Sequence, residues 1–515
     1  MKKSIFKVIF VLVASLLSSN LLMAEEITYE TPEQLQKIII TPNRFSQKFK
    51  NSTGEISIIT REDIDNSGAE ILLDVFRTIK GVIVRDYYGN GARATVDLRG
   101  FGETSSSNAL VLIDGRRANT PDLSGVDWMQ IPLERVERVE ILHGGTGSVL
   151  YGDNAVGGVI NIITKSGKTK EPTYELYASG GSYNMNKQSI SCIGASEKLS
   201  YSITASRLNT NGYRQNSEYR SSDYGTKLKY QLNDSIALKL SGHYHEADLG
   251  LPGPLNKEQY ATLSHKDSVA AERDNDVGER DYYMKFGIEG LTFDFGIMNL
   301  DFSFRRRTSD SYFPNWWPGF INLYTYSHID TFAFTPNYTC TLNLFGRPNK
   351  VIVGVDFYKT DNKINDCNNL TNIRTNDNDI DKHSLGFYIS DSFDVTDNLS
   401  IDLGFRHERI NHRLNFIDKA TPANDRNADL KRKEEAFKAG LVYMLNDDTQ
   451  AFFNASRSFR SPLTDEFLYF EMATFTRQID TGLSTQASLG FDCGVRHAFN
   501  KYLRTDLTLP NGYRQ

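Results

Sequence analysis

After residue 24 the 515-residue sequence has no run of about 18 apolar residues, so no membrane-crossing helix is available there. Cysteine is scarce: Cys192, Cys340, Cys367 and Cys493 lie far apart and without metal-ligand spacing. They make neither a zinc site nor the framework of a disulfide-stapled fold. Positive charge is not in excess either. The net charge of −6 argues against a nucleic-acid partner. No Ser/His/Asp, Cys/His or paired-carboxylate arrangement stands out, so neither an enzyme nor a cofactor is expected. Apolar residues make up only 39% of the chain, and its mean hydropathy is −0.43. Those totals describe a soluble protein, but they also describe a transmembrane β-barrel, whose strands alternate lipid-facing and lumen-facing residues.

What is present falls into four parts. Residues 1–24 have the anatomy of a secretory signal: Lys2, Lys3 and Lys7, an apolar run over 5–17, and Leu22-Met23-Ala24 before Glu25. Residues 25–51 are extended, with Pro32 and Pro42 and no amphipathic period. Residues 52–168 mix strand and helix signals and read as a small α+β globule. From residue 169 to 515 the period becomes two. Tyr224, Thr226, Leu228, Tyr230 and Leu232 share one face, and Gly225, Lys227, Lys229 and Gln231 share the other. Past the turn at Asn233-Asp234, Ile236, Leu238 and Leu240 resume the apolar face. Lysines where a sandwich would need its core point to a lipid-facing barrel, which must close because no backbone group can be left unpaired in lipid.

Short connections near 194–198, 233–235, 289–292, 345–348, 394–398, 446–449 and 499–502 alternate with long ones. The long ones fall near 208–223, 247–278, 307–323, 361–381, 408–434 and 459–484. This phase makes the long set extracellular, Trp316-Trp317 included. It puts Cys340 on a descending strand below Cys367 in its loop, which predicts no disulfide between them. About 15 strands are expected by Gln515.

Residues 81–165 carry the most specific signal. LRG at Leu98–Gly100, LVLIDG at Leu110–Gly115, IPLERVERVEIL at Ile131–Leu142 and LYGDNAVGGVINIITK at Leu150–Lys165 occur in order. Together they resemble the plug of a TonB-dependent outer-membrane receptor, in the style of vitamin B12 or ferric-siderophore receptors. RSFRSPLTDEFLY at Arg457–Tyr469 resembles a strand-and-loop motif of the same family's barrels. Lys37–Phe45, KIIITPNRF, resembles the TonB box, carried here by Ile38, Ile39, Ile40, Thr41 and Pro42. Three β-branched residues suit strand addition to another protein's sheet edge; Pro42 ends such pairing, having no N–H.

The resemblance implies an α+β plug inside an all-β antiparallel barrel in the outer membrane, of about 22 strands. Against that number the chain is expected to be short of its last third, a smaller barrel being the alternative. The implied activity is import of a scarce ligand, energised by the inner-membrane proton gradient through TonB. The implied partners are TonB with its motor, outer-membrane lipid, and a small metal chelate or corrinoid. A nickel chelate, an oligosaccharide, or a non-functional fragment are the other readings. The expected ligand face is the plug apex, with Tyr87, Tyr88, Asn90, Thr104, Ser105 and Ser106 as contacts. Arg99, Arg138 and His143 are expected to touch the barrel, and a histidine in place of a fixed cation at 143 suggests pH-sensitive docking. HGGTGS at 143–148 lacks the lysine of a phosphate-binding loop, so its glycines serve turns. His243 and His245 share a face; a hydrated polar wall is expected there, with Glu246 and Asp248 nearby, and a metal-contacting patch is the alternative.

Overall fold

The computed structural model describes residues 38–39, 44, 47–48, 53–269, 274–293, 296–317, 321–368, 373–419, 421–471, 476–499 and 504–514. The expected signal sequence and most of residues 25–51 lie outside these.

The globule forms first along the chain, and its core explains its strands. β3 (Ile56–Thr60), β8 (Val136–His143), β9 (Gly158–Thr164), β6 (Ala109–Ile113) and β7 (Arg116–Arg117) make one sheet in that order, with β6 and β9 parallel. Parallel strands covered on both faces need continuous apolar runs, and Ala109–Ile113 is buried throughout. β4 (Val82–Arg85) and β5 (Thr95–Leu98) form a separate hairpin. Thr60 caps the helix Arg61–Asn66 in a capping box with Asp63. The helix Leu72–Arg77 buries Leu72, Leu73, Val75 and Phe76. Phe76 meets Trp128 edge to face, with ring centroids 5.2 Å apart.

The second body is a single antiparallel sheet. Its strands are β10 (Thr173–Gly181), β11 (Met185–Ala195), β12 (Leu199–Thr210), β13 (Tyr219–Gln231), β14 (Ala237–Gly250), β15 (Asp276–Phe293) and β16 (Gly296–Trp317). They continue as β17 (Ile321–Phe334), β18 (Asn337–Leu344), β19 (Arg347–Asn368), β20 (Ile373–Asp394), β21 (Leu399–Asp418), β22 (Arg426–Met444) and β23 (Thr449–Arg460). A small hairpin, β24 (Leu468–Glu471) with β25 (Thr476–Ile479), precedes β26 (Gln486–Ala498) and β27 (Arg504–Arg514). β17 and β18 both lie between β16 and β19 and form one span, interrupted at Thr335-Pro336 where proline offers no ladder N–H. The sheet thus has the expected fifteen spans. Among the described residues its edge strands β10 and β27 each have one neighbour.

Side chains alternate as the period predicted. Tyr224, Phe387 and Leu403 are exposed on the outer face, while Asp223, Asp356, Ser390 and Asp402 are buried on the inner one. The four cysteines are free thiols.

Several expected connections are strands instead. β16 and β17 run to Trp317 and from Ile321; β19 and β20 replace most of 361–381; β21 and β22 replace most of 408–434. The Asn/Asp-rich residues pair in register, Asp361 with Asp381 and Asn362 with Ile380. Cross-strand neighbours override low strand propensity. With 22 residues, β19 is about 70 Å long, roughly twice what crossing the membrane needs. These hairpins therefore project beyond the bilayer on the side opposite the short turns. The turn expected at 289–292 is a bulge between Ile288 and Leu291. Gly290 has φ +86 there, and a Cβ would meet the Ser235 carbonyl oxygen.

Candidate functional site

The inner face of the sheet and the outer face of the globule are both polar, and charged side chains join them. Asp114 accepts Lys227 of β13 at 2.9 Å. Asp153 accepts Lys382 of β20 at 2.7 Å and the Ser461 backbone N–H at 2.7 Å. Arg93 and Arg307 of β16 share Glu279 of β15. Thr53 donates to Asp402 of β21 at 3.0 Å. Burial alone would raise both plug carboxyls, yet Lys227 holds Asp114 below its usual value, and Lys382 and Arg117 do the same for Asp153. Buried charges of this kind are tolerable only as pairs.

Arg44, in the N-terminal tail, enters the same joint. Its guanidinium forks onto Asp356 of β19 at 3.0 and 3.1 Å, donates to the Tyr388 hydroxyl at 2.9 Å, and lies against the rings of Tyr151 and Tyr388. Asp356 is also held by Arg406 of β21 at 2.8 Å, and Arg406 by Glu408 at 2.7 Å. Gly152 sits over this cluster with φ +73; a Cβ would strike the Glu408 carboxylate and Arg406.

The residues singled out from sequence divide. Arg99, at φ +70, reaches Asp492 of β26 at 2.6 Å, so it touches the barrel. Arg138 instead pairs with Glu140 inside the plug at 3.0 Å. His143 also turns inward: its Nε2 lies 3.0 Å from the Ser57 hydroxyl. Burial and then Arg99 lower its pKa to about 4, so the ring is neutral near pH 7 and does not stand in for a cation. Of the apex residues, Tyr87 is exposed and donates to Glu103 at 2.9 Å, tying the two apical segments together. Thr104 is exposed, and Tyr88 and Ser106 are half-buried. Asn90 and Ser105 are buried, which corrects their expected place at the ligand face. Asn90 accepts from the Ala92 N–H at 3.1 Å and reaches the Ser217 carbonyl of an upper loop at 3.4 Å. Ile38–Ile39 form β1, paired antiparallel with β2 (Gln47–Lys48). Ile40, Thr41 and Pro42 lie outside the described residues.

His243 and His245 do face inward, but the wall there is dry. His245 lies 2.8 Å from Asp223 and 3.4 Å from Asp127 of the plug. Glu246 points outward to Arg280 at 2.8 Å. Among the described residues no group of three His, Cys, Asp or Glu could hold a metal.

Above the apex, upper-loop residues add what sequence reasoning missed. Tyr183 and Tyr213 pack edge to face at 5.7 Å, and the Lys266 ammonium lies over both rings at 5.4 and 5.3 Å. The segment 461–467 folds inward, where the Thr464 N–H donates to the Pro121 carbonyl at 2.9 Å. Asp114 and Asp153 were legible as charges inside otherwise apolar motifs. Arg44 and Arg93 had no local signal.

A globule lodged against the polar inner face of an antiparallel sheet whose outer face is apolar defines a plugged outer-membrane barrel. Residues 48–159 match the TonB-dependent Receptor Plug Domain, and residues 161–515 match the family described as TonB dependent receptor-like, beta-barrel. The chain belongs to the TonB-dependent receptors, a family of outer-membrane receptors and transporters rather than enzymes. It is 32% identical over 247 residues to the vitamin B12 transporter BtuB of Vibrio cholerae; the match covers 48% of this chain and 39% of that protein. A second BtuB, from Vibrio vulnificus, is 37% identical over 134 residues, covering 26% of this chain and 21% of its own length. The matched region thus spans well under half of these curated relatives. In fold the chain is similar to FpvA of Pseudomonas aeruginosa bound to pyoverdine (TM-score 0.74, 17% identity, 93% of this chain, 65% of that one). It is also similar to the ferric yersiniabactin uptake receptor FyuA of Yersinia pestis (TM-score 0.73, 16% identity, 90% and 72%).

Proposed function

We propose that this chain provides the plug and the plug-bearing wall of an importer that takes a scarce, bulky ligand across the outer membrane, driven through TonB. The observation that carries this reading is the plug–barrel joint. It is built from ion pairs and hydrogen bonds rather than apolar packing, so it can part and re-form without exposing a hydrophobic core. The ligand is received at the mouth, where Tyr87, Tyr88, Tyr183 and Tyr213 offer rigid amphipathic surfaces beside Lys266. The exposed Thr104 and half-buried Ser106 complete that face. The periplasmic partner is TonB. β1 has a single short neighbour, which leaves an edge for strand addition by residues 38–42. Arg44 ties that tail to the wall that must yield, through Asp356.

The first cargo to test is a corrinoid, because the curated relatives at 32% identity or above are named vitamin B12 transporters. The test is accumulation of labelled cyanocobalamin, and separately of a ferric siderophore, in cells lacking their own receptors, with and without TonB. TonB-dependent uptake of cyanocobalamin that Ile39→Pro abolishes is the expected result. Uptake of the ferric chelate alone would reassign the cargo, and uptake of neither would remove the import reading.

A further inference from the structure

Between the plug and the wall made by β16, β17, β19 and β20 lies a cavity of about 80 Å³, several times the space one water occupies. Arg116, Arg117 and Asp153 border it from the plug, and Arg305 and Lys382 from the wall; Leu463 closes it from above. Hydroxyls of Thr331 and Thr360, 3.1 Å apart, line the wall between them. Four cations therefore face one carboxylate.

Two of those cations are matched. Arg305 binds Asp281 through Nε and a terminal nitrogen at 3.0 and 2.5 Å, and Lys382 binds Asp153. Arg116 and Arg117 have no carboxylate ion pair among the described residues. Arg116 is 8% exposed and lies 3.8 Å from the centre of the Tyr283 ring. It gives one N–H to the Arg117 carbonyl at 2.7 Å, and its Nε has no hydrogen-bond partner. Arg117 lies over the Tyr358 ring at 4.9 Å and reaches only the Tyr151 carbonyl. Burial, followed by repulsion from Arg305, lowers Arg116 to about 10; Asp281 opposes this, though it is already bound by Arg305. A buried guanidinium that meets only ring faces and carbonyls lacks its counter-charge. A fork of N–H donors matches the two oxygens of a carboxylate or phosphate.

The roof of the cavity is coupled to the same charges. Asp153 holds Lys382 and also the N–H of Ser461, the first residue of the loop that folds over the plug. An anion entering beside Arg116 and Arg117 would compete with Asp153 for Lys382 and loosen that roof.

We propose that this cavity is an anion subsite that takes a carboxylate or phosphate group of the cargo as it passes between plug and wall. The inference deepens the import reading and rests on it: the transported molecule carries a negative group. The test is calorimetric titration of the full chain in detergent micelles with sodium phosphate and, separately, sodium acetate, at fixed ionic strength. One saturable site is expected, and whichever anion binds more tightly tells phosphate-bearing from carboxylate-bearing cargo. R116Q/R117Q should weaken binding by about tenfold or more. Asp153→Asn, which removes the competing carboxylate, should tighten it by about threefold or more, a gain that a misfolded chain cannot produce. Absence of a saturable site, or parental affinity in R116Q/R117Q with an unchanged β-sheet circular dichroism spectrum, would overturn the proposal. Because the titration needs neither TonB nor transport, its outcome is separate from that of the uptake test. Anion binding without any uptake would leave the subsite standing and remove the import reading.

Discussion

In the plug, apolar side chains point inward: Leu72, Leu73, Val75, Phe76 and Trp128 pack into one core. In the barrel they point outward, with Tyr224, Phe387 and Leu403 on the lipid side and carboxylates, hydroxyls and guanidinia on the other. Each body satisfies the solvent it was built for, water around one and hydrocarbon around the other. The consequence falls on the surface they share. Both present polar groups to it, so the joint is held by directional contacts such as Arg99–Asp492, Asp114–Lys227 and Arg44–Asp356. A joint of that kind separates contact by contact, whereas an apolar core fails all at once.

That contrast can be broken most severely inside the plug. Phe76→Ala should remove about 3–5 kcal/mol from the plug core. Proteolysis should then cut the plug while the sheet keeps its far-ultraviolet circular dichroism signal; loss of both together would mean that the two bodies fold as one unit. Leu403→Arg places a charge on the lipid face and should cost about 2–4 kcal/mol, read as a lower urea midpoint in lipid vesicles with the plug still protected from protease. Arg99→Ala leaves Asp492, 2% exposed on its side chain, without that partner. The expected loss is about 2–3 kcal/mol, seen as faster hydrogen exchange over 143–148 and unchanged exchange in the Phe76 core.

The smallest expected effect is a pH dependence at the roof. Burial, and then Asp122, raise Asp465 to about 6. A carboxyl with a raised folded-state pKa contributes stability that is complete below its unfolded value near 4 and is lost as pH rises through 6. The contact of the loop 461–485 with plug residues 121–123 should therefore loosen between pH 5 and 7.5. Exchange of the Thr464 amide, bonded to the Pro121 carbonyl, should quicken over that range beyond its intrinsic rate. Asp465→Asn should flatten the dependence; a slope that persists would assign it to another group.

Which face of each strand meets lipid was legible, because a period of two needs only the strand itself. So were the plug, from its ordered motifs, and the alternation of short and long connections. Strand lengths at the upper ends were not: Asp361 and Asn362 read as loop until Asp381 and Ile380 stand opposite them and complete the ladder. The apex showed the same limit, where Asn90 and Ser105 have turn and surface chemistry but are covered by their surroundings.

By itself the sequence determined the order of the two bodies, the identity of the family, and the outward register of the barrel. Each follows from residues close together along the chain, where spacing alone sets direction. The joint was decided only by tertiary structure. Arg99 and Asp492 stand 393 positions apart, Arg44 and Asp356 stand 312 apart, and no local pattern relates them. Only curling the sheet around the plug brings such pairs within hydrogen-bond reach, and burial there makes each charge depend on its partner.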